Sequence, residues 1–323
     1  GQHTLPDGTQ LYTKTWTPED LSTTKARLVF IHGFSDHCNT YSVLFPTLAS
    51  KGISVHTFDQ RGWGRSVSKP SDRGLTGPTS QVLSDMNSFI TSLPPPPTST
   101  PTPLFLMGHS MGGAQTLYFA SHGPATTRAL IRGYLAESPF ISLSSATRPN
   151  VAVVWAGKLA AKILPHRQMK NVLDAQLLSR DEAVQRAFVE DELCHDTGTL
   201  EGLAGMLDRA AKLEGGEVKI GKEAGEGGRT RVWVGHGTED GVCDFGGTRA
   251  WFDREVGGTE AEGVDGEFRG YEGWRHKLHA ELGDDKHMFA NEVAEWILKR
   301  SASDSGRDQG QGQGGQEEVK PRL

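Results

Sequence analysis

The chain lacks most of what would place it outside a reducing compartment or inside a bilayer. Only three of its 323 residues are cysteines, Cys38, Cys194 and Cys243, widely spaced and odd in number. That argues against a disulfide framework and fits a reducing environment. No apolar run is long enough to span a membrane, and residues 1–12 lack a basic-then-apolar leader pattern. There is no basic cluster either: the formal net charge is −6, with acids and bases spread along the chain, so nothing points to nucleic acid. These absences predict a soluble, cytoplasmic protein, with peripheral contact at a membrane or lipid droplet left open.

What is present alternates between strand and helix. The apolar runs Leu28–Ile31, Ile53–Phe58, Leu104–Met107, Leu130–Ala136, Arg231–His236 and Phe268–Tyr271 read as strands. Helical stretches follow several of them, including Gln81–Leu93, Ala114–Ala120 and Lys286–Arg300. Such alternation predicts an α/β fold with a mostly parallel central sheet flanked by helices. The Pro- and Thr-rich stretch Pro94–Pro103 reads as a surface loop, as do the Gly-rich segments Glu214–Gly228 and Gly257–Gly266. From Ser301 onward almost nothing is apolar, which predicts a disordered tail over 301–323.

Between Pro139 and Leu213 the alternation stops and the pattern is mainly helical. The expected organisation is therefore a core over 1–138, an inserted helical cap over 139–213, and the rest of the core over 214–300. Val151, Trp155, Leu159 and Ile163 recur at every fourth residue as one apolar stripe, with Lys158 and Lys162 off it. The favoured reading is a cap helix packing this stripe on the core. The rival is an interfacial helix touching lipid.

Gly108-His109-Ser110-Met111-Gly112, followed by Gly113, spells G-x-S-x-G between an apolar strand and a helix. This is the pattern of a nucleophile elbow, which lifts a serine hydroxyl above the sheet edge. Taken alone it also fits a glycine-rich helix start with a capping serine. A serine needs a base, and the base needs an acid to orient it; in an α/β-hydrolase fold these follow in the order Ser, acid, His. Asp240, just past the strand Arg231–Val234, is the best acid, with Glu239 and Asp244 as competitors. His276, after the last strand and before the final helix, is the base, with His279 as its rival. The backbone N–H of Met111, and that of Phe34 in the turn after the first clear strand, are the expected oxyanion donors.

The ordered segments His32-Gly33-Phe34, Phe58 to Ser66, Gly108 to Gly113, Asp240 to Asp244 and His276 to His279 together resemble the monoacylglycerol lipase family, in its fungal flavour. The cap segment Ala160–Pro165 resembles it too, and the likeness runs from about Leu11 to Arg300. It implies an α/β-hydrolase with a helical cap over the active site. The implied reaction removes one fatty acyl chain from glycerol, without metal or cofactor. Carried over by position, Ser110, Asp240 and His276 match the family's triad and Phe34 and Met111 its oxyanion amides. His279 and Asp36 match positions associated with the glycerol headgroup. Asp36 is one methylene shorter than the Glu of mammalian members, and Thr40 stands where they have Arg. Trp155 and Leu159 of the cap stripe are further candidates for substrate binding. Cys243, near Asp240, stands where a family cysteine confers thiol sensitivity; an inert small hydrophobe is the competing reading.

Other substrates for the same machinery are lysophospholipids, short esters and acyl-CoA thioesters, because fold does not fix function. A peptidase is disfavoured, since nothing marks a pocket for a free amino terminus. Epoxide or haloalkane chemistry would need an Asp where Ser110 stands. A non-catalytic receptor of the same fold often lacks a triad member, and here all three candidates are present.

Overall fold

In the computed structural model the described residues are 1–96, 102–144, 147–148, 150–221, 223–257 and 264–302. Residues 97–101 of the proline stretch, 258–263, and the 303–323 part of the expected tail lie outside them.

The first half supplies β1 (Gln2–Thr4), β2 (Gln10–Trp16), β3 (Ala26–Ile31), α1 (Leu44–Ser50), β4 (Ile53–Phe58), α2 (Thr79–Thr91), β5 (Leu104–His109), α3 (Met111–His122), α4 (Ala125–Arg128) and β6 (Ile131–Glu137). The segment after β6 supplies α5 (Val151–Ile163), β7 (Gln168–Lys170), α6 (Glu182–Glu190), β8 (Thr197–Thr199) and α7 (Leu200–Glu214). The chain then returns with β9 (Arg231–Gly237), α8 (Phe245–Glu255), β10 (Asp265–Tyr271) and α9 (Asp285–Ser301).

Eight strands form one sheet in the order β1-β2-β4-β3-β5-β6-β9-β10. Six of them are parallel; β1 and β2 join antiparallel at one edge. The inner parallel strands β3, β5 and β9 are buried on both faces, which is why they read as near-continuous apolar runs rather than alternating ones, whereas β10 at the edge is largely exposed. One apolar cluster, around Leu106, Leu117 and Trp251, packs one side. A second, around Phe30, Phe45 and Trp233, packs the other with α1 and α9. This is an α/β-hydrolase fold. From β3 the chain moves to β4 on one side, then returns to place β5 on the other. The crevice at the carboxyl ends of β3 and β5 is thus the point where strand order reverses, where such sheets bind ligands.

The segment between β6 and β9 is not wholly helical. β7 and β8 pair antiparallel as a separate two-stranded sheet. Each is three residues long, too short to leave a period in the sequence.

The expected packing of α5 is corrected. Trp155, Leu159 and Ile163 are exposed (69, 48 and 73 %), so the stripe does not face the core. The helix packs on α7 through other residues, and Val153, Val154, Gly157 and Lys158 face an internal cavity. An apolar helix with Val, Ala and Leu on several sides gives a periodicity that cannot say which side turns inward.

Candidate active site

The elbow exists because its glycines leave room. A Cβ on Gly108 would lie 2.1 Å from the carbonyl oxygen of Gly112, and one on Gly112 would lie 2.1 Å from that of Ile31. Bare backbone lets β5, α3 and β3 approach this closely. The turn holds Ser110 at φ 53°, ψ −116°, a backbone region that non-glycine residues rarely occupy and that is found at functional sites. The Ser110 N–H donates to the carbonyl of Glu137 at the end of β6, which fixes the turn against the sheet.

The structure brings together the three residues expected from chain order. Ser110 Oγ lies 2.9 Å from His276 Nε2, and His276 Nδ1 lies 2.7 Å from Asp240 Oδ2. The other carboxylate oxygen of Asp240 accepts from the backbone N–H groups of Val242 and Cys243 at 2.8 and 2.9 Å. Burial opposes the charge on Asp240. His276 and a second imidazole, His236 at 2.9 Å from Oδ2, outweigh it and hold the carboxyl well below the usual range. The competitors are elsewhere: Asp244 caps α8 by accepting from Gly247 N–H, and Glu239 is exposed.

Phe34 and Met111 both border the cavity above Ser110. Neither backbone N–H has an acceptor among the described residues. Both amides are therefore available to an oxygen at the serine. Ser35, immediately after Phe34, takes φ 52°, and its hydroxyl accepts from the N–H of Asp196 in the cap, so the donor loop is braced from above.

Two headgroup candidates do not reach this cavity. Asp36 is 1 % exposed and fully engaged. It accepts from His37 N–H, Thr40 Oγ1 and Tyr41 Oη, with Lys277 Nζ at 3.6 Å. Burial works against its ionisation, but Lys277, the neighbouring imidazoles and Thr40 keep it well below the usual carboxylate range. The shorter side chain, with Thr40 bonded to it, makes an internal brace rather than a ligand. His279 is 2 % exposed. Its Nδ1 and backbone N–H both meet Glu137 Oε1, at 2.7 and 3.1 Å, and its ring lies 4.3 Å from that of Tyr41. Trp155 and Leu159 likewise lie outside the cavity lining, on the outer side of α5.

The cavity over Ser110 has a volume of about 460 Å³. Leu143, Val154, Leu177, Leu203, Leu207 and Val242 supply much of its wall, most of which is apolar. The cap provides its roof through α5 and α7. Cys243 is fully buried nearby, and burial, followed by the charge of Asp240, pushes its thiol far above the ordinary range; that favours the inert reading.

Sequence reasoning missed His236, Glu137, Tyr41 and Lys277. Glu137 and Lys277 find their partners, His279 and Asp36, far along the chain, whereas His236 and Tyr41 meet the nearby Asp240 and Asp36 but carry no motif of their own. Glu137 carries one visible signal: an acid closing an otherwise apolar strand.

Known proteins resemble this chain in sequence and in fold. Residues 22–283 match the family model described as "Serine aminopeptidase, S33". A Schizosaccharomyces pombe protein provisionally named a monoglyceride lipase is 33 % identical over 90 % of this chain and 72 % of its own length. The monoglyceride lipase of Saccharomyces cerevisiae is 27 % identical over 87 % of each chain. A soluble variant of that yeast lipase, solved with a substrate analog, superposes with a TM-score of 0.79, at 24 % identity, over 94 % of this chain and 96 % of the other. The monoacylglycerol lipase of Paleococcus ferrophilus gives a TM-score of 0.72 at 25 % identity, over 90 and 99 %. The chain belongs to the α/β-hydrolase family which that model describes, and within it to the monoglyceride lipases.

Proposed function

We propose that the protein hydrolyses the ester of monoacylglycerols to a free fatty acid and glycerol. Ser110 attacks the carbonyl, His276 takes the serine proton and Asp240 orients and stabilises the imidazolium. The amides of Phe34 and Met111 receive the oxyanion. His276 then protonates the departing glycerol and activates the water that releases the acyl group.

The observation that carries this reading is the apolar cavity of about 460 Å³ opening onto Ser110. Its size and lining suit one acyl chain. Relatives named monoglyceride lipases support the same substrate class. The family description speaks of aminopeptidases, but a mostly aliphatic wall suits an acyl chain better than a charged amino terminus.

The exposed face of α5, with Trp155, Leu159, Ile163 and the neighbouring Leu164, supports contact between cap and a lipid surface. No helix among the described residues is long and apolar enough to cross a membrane.

The test is a substrate panel of monoacylglycerols, diacylglycerols, lysophospholipids and acyl-CoA, run with wild type and Ser110→Ala. Preferred cleavage of monoacylglycerol, absent from the variant, is the expected outcome. A higher kcat/KM for lysophospholipid or thioester overturns the substrate, and activity retained in the variant overturns the nucleophile.

A further inference from the structure

Against Phe34 and Met111 lies a second, much smaller cavity, bordered also by Thr76, Gln115, Met206 and Arg209. It offers about 10 Å³ to the centre of a water-sized sphere, room for one guest of that size. It is too small for a carboxylate or for an acyl chain beyond a terminal methyl.

Its polar lining is unusual. Arg209 of α7 is 3 % exposed, and burial draws its guanidinium down to about 10, still cationic at neutral pH. Of its five N–H donors, one is used, from Nη1 to Thr79 Oγ1 at 2.9 Å. No carboxylate among the described residues pairs with it. The adjacent Asp208 is already held by Lys212 at 2.9 Å and Lys158 at 3.6 Å. Gln115 of α3 is 1 % exposed, and its carboxamide has no hydrogen-bond partner among the described residues. A buried cation without a counter-charge is strongly unfavourable, and a buried amide without partners adds to the cost.

We propose that this cavity binds one monatomic halide-class anion, chloride under ordinary conditions, held by Arg209 and Gln115. A water fills the same space but leaves the guanidinium with no anion in contact, only the more distant charge of Asp208; a chloride fills it and neutralises the guanidinium directly. The anion would also join three elements. Arg209 belongs to the cap, whereas Gln115 stands on α3 and Thr79 on α2 of the core. Occupancy thus fastens the cap to the core beside the oxyanion amides.

The site is tested on the full chain by the ³⁵Cl NMR line width, titrating sodium chloride against sodium gluconate at constant ionic strength. Wild type is expected to show saturable excess broadening, displaced by bromide, and a higher Tm in chloride than in gluconate. Arg209→Met should weaken the chloride response about tenfold or more, the loss of a charge-assisted contact. Gln115→Leu should weaken it less. Crystals soaked in bromide should place an anomalous peak between Arg209 and Gln115. No excess broadening in wild type, no anomalous peak, or a response unchanged in both variants overturns the proposal and leaves an internal water there. If Arg209→Met fails to fold, Gln115→Leu and the bromide crystals decide the matter.

Discussion

The two regions that meet at Ser110 are built on different physics. The core side is wired by polar contacts: hydrogen bonds join Ser110, His276 and Asp240, with the His236 ring beside that carboxylate. A second group links Glu137 to His279 and Tyr41 to Asp36 by hydrogen bonds, with a ring contact between His279 and Tyr41 and an ion pair from Lys277 to Asp36. The cap side is shaped chiefly by aliphatic surface, through Val154, Leu203 and Leu207. Hydrogen bonds fix atoms to a few tenths of an ångström, as proton transfer requires. Apolar contact fixes only volume, which suffices to choose an acyl chain. In the mechanism proposed above, chemistry is confined to the core and selection largely to the cap, and substitutions on the two sides should fail in different ways.

The largest effect is expected at the serine. Ser110→Ala should lower kcat by roughly 10³- to 10⁶-fold with Tm little changed; substantial turnover by the variant would end the division of labour proposed above. Asp240→Asn should cost about 10³- to 10⁴-fold in kcat, because the imidazole loses its orienting carboxylate. Its KM for a soluble ester should stay near wild type, and a change confined to KM would move Asp240 out of the catalytic role.

Acid lability gives a comparison of the same two regions through stability. Burial draws His56 in β4 and His195 in the cap down to about 4, from an ordinary value near 6.5. His195 stacks on Trp63 at 4.8 Å and meets the carbonyl of Gly62. Both stay neutral in the fold while the unfolded chain takes up protons. Stability is therefore full above pH 6.5 and falls as pH drops toward 4, by at most about 1.4 kcal/mol per pH unit for each group. Thermal melts from pH 7.5 to 4.5 should show the decline, and His56→Asn and His195→Asn should each flatten it. An unchanged slope in one variant would clear that region of the acid response.

Smaller effects belong to the cap. Leu207→Phe narrows the cavity and should shift acyl preference toward shorter chains by about tenfold in the ratio of kcat/KM; loss of activity on all chain lengths alike would show that Leu207 supports the catalytic geometry instead. Trp155→Asp, on the outer face of α5, should reduce binding to phospholipid vesicles a few-fold, on the order of the ~1 kcal/mol carried by one interfacial aromatic side chain. Vesicle flotation reads this directly, and undiminished binding would remove α5 from the lipid-facing surface.

The sequence was most readable where chemistry demands fixed order and small residues. The elbow glycines, the strand ahead of Asp240 and the histidine after β10 follow from what a buried parallel sheet and a serine nucleophile require. It was least readable where burial depends on distant partners. Asp36 looks like a free acid beside the oxyanion turn, yet Tyr41 and Lys277 enclose it, and Lys277 is more than two hundred positions away. His279 looks like a second candidate base until Glu137 is seen to hold it. The stripe on α5 failed for another reason: with apolar residues on several sides, period alone does not choose between cavity and solvent.

The contact of Lys277 with Asp36, and of the His279 ring with Tyr41, has a kinetic consequence. One bridge spans the loop that carries the Phe34 amide and the loop that carries His276. The proposed oxyanion donor and the proposed proton acceptor are therefore mounted on a common chassis. A disturbance at Asp36 should not degrade one function and spare the other: it should shift both together, and its penalty should fail to add to that of a change at Lys277.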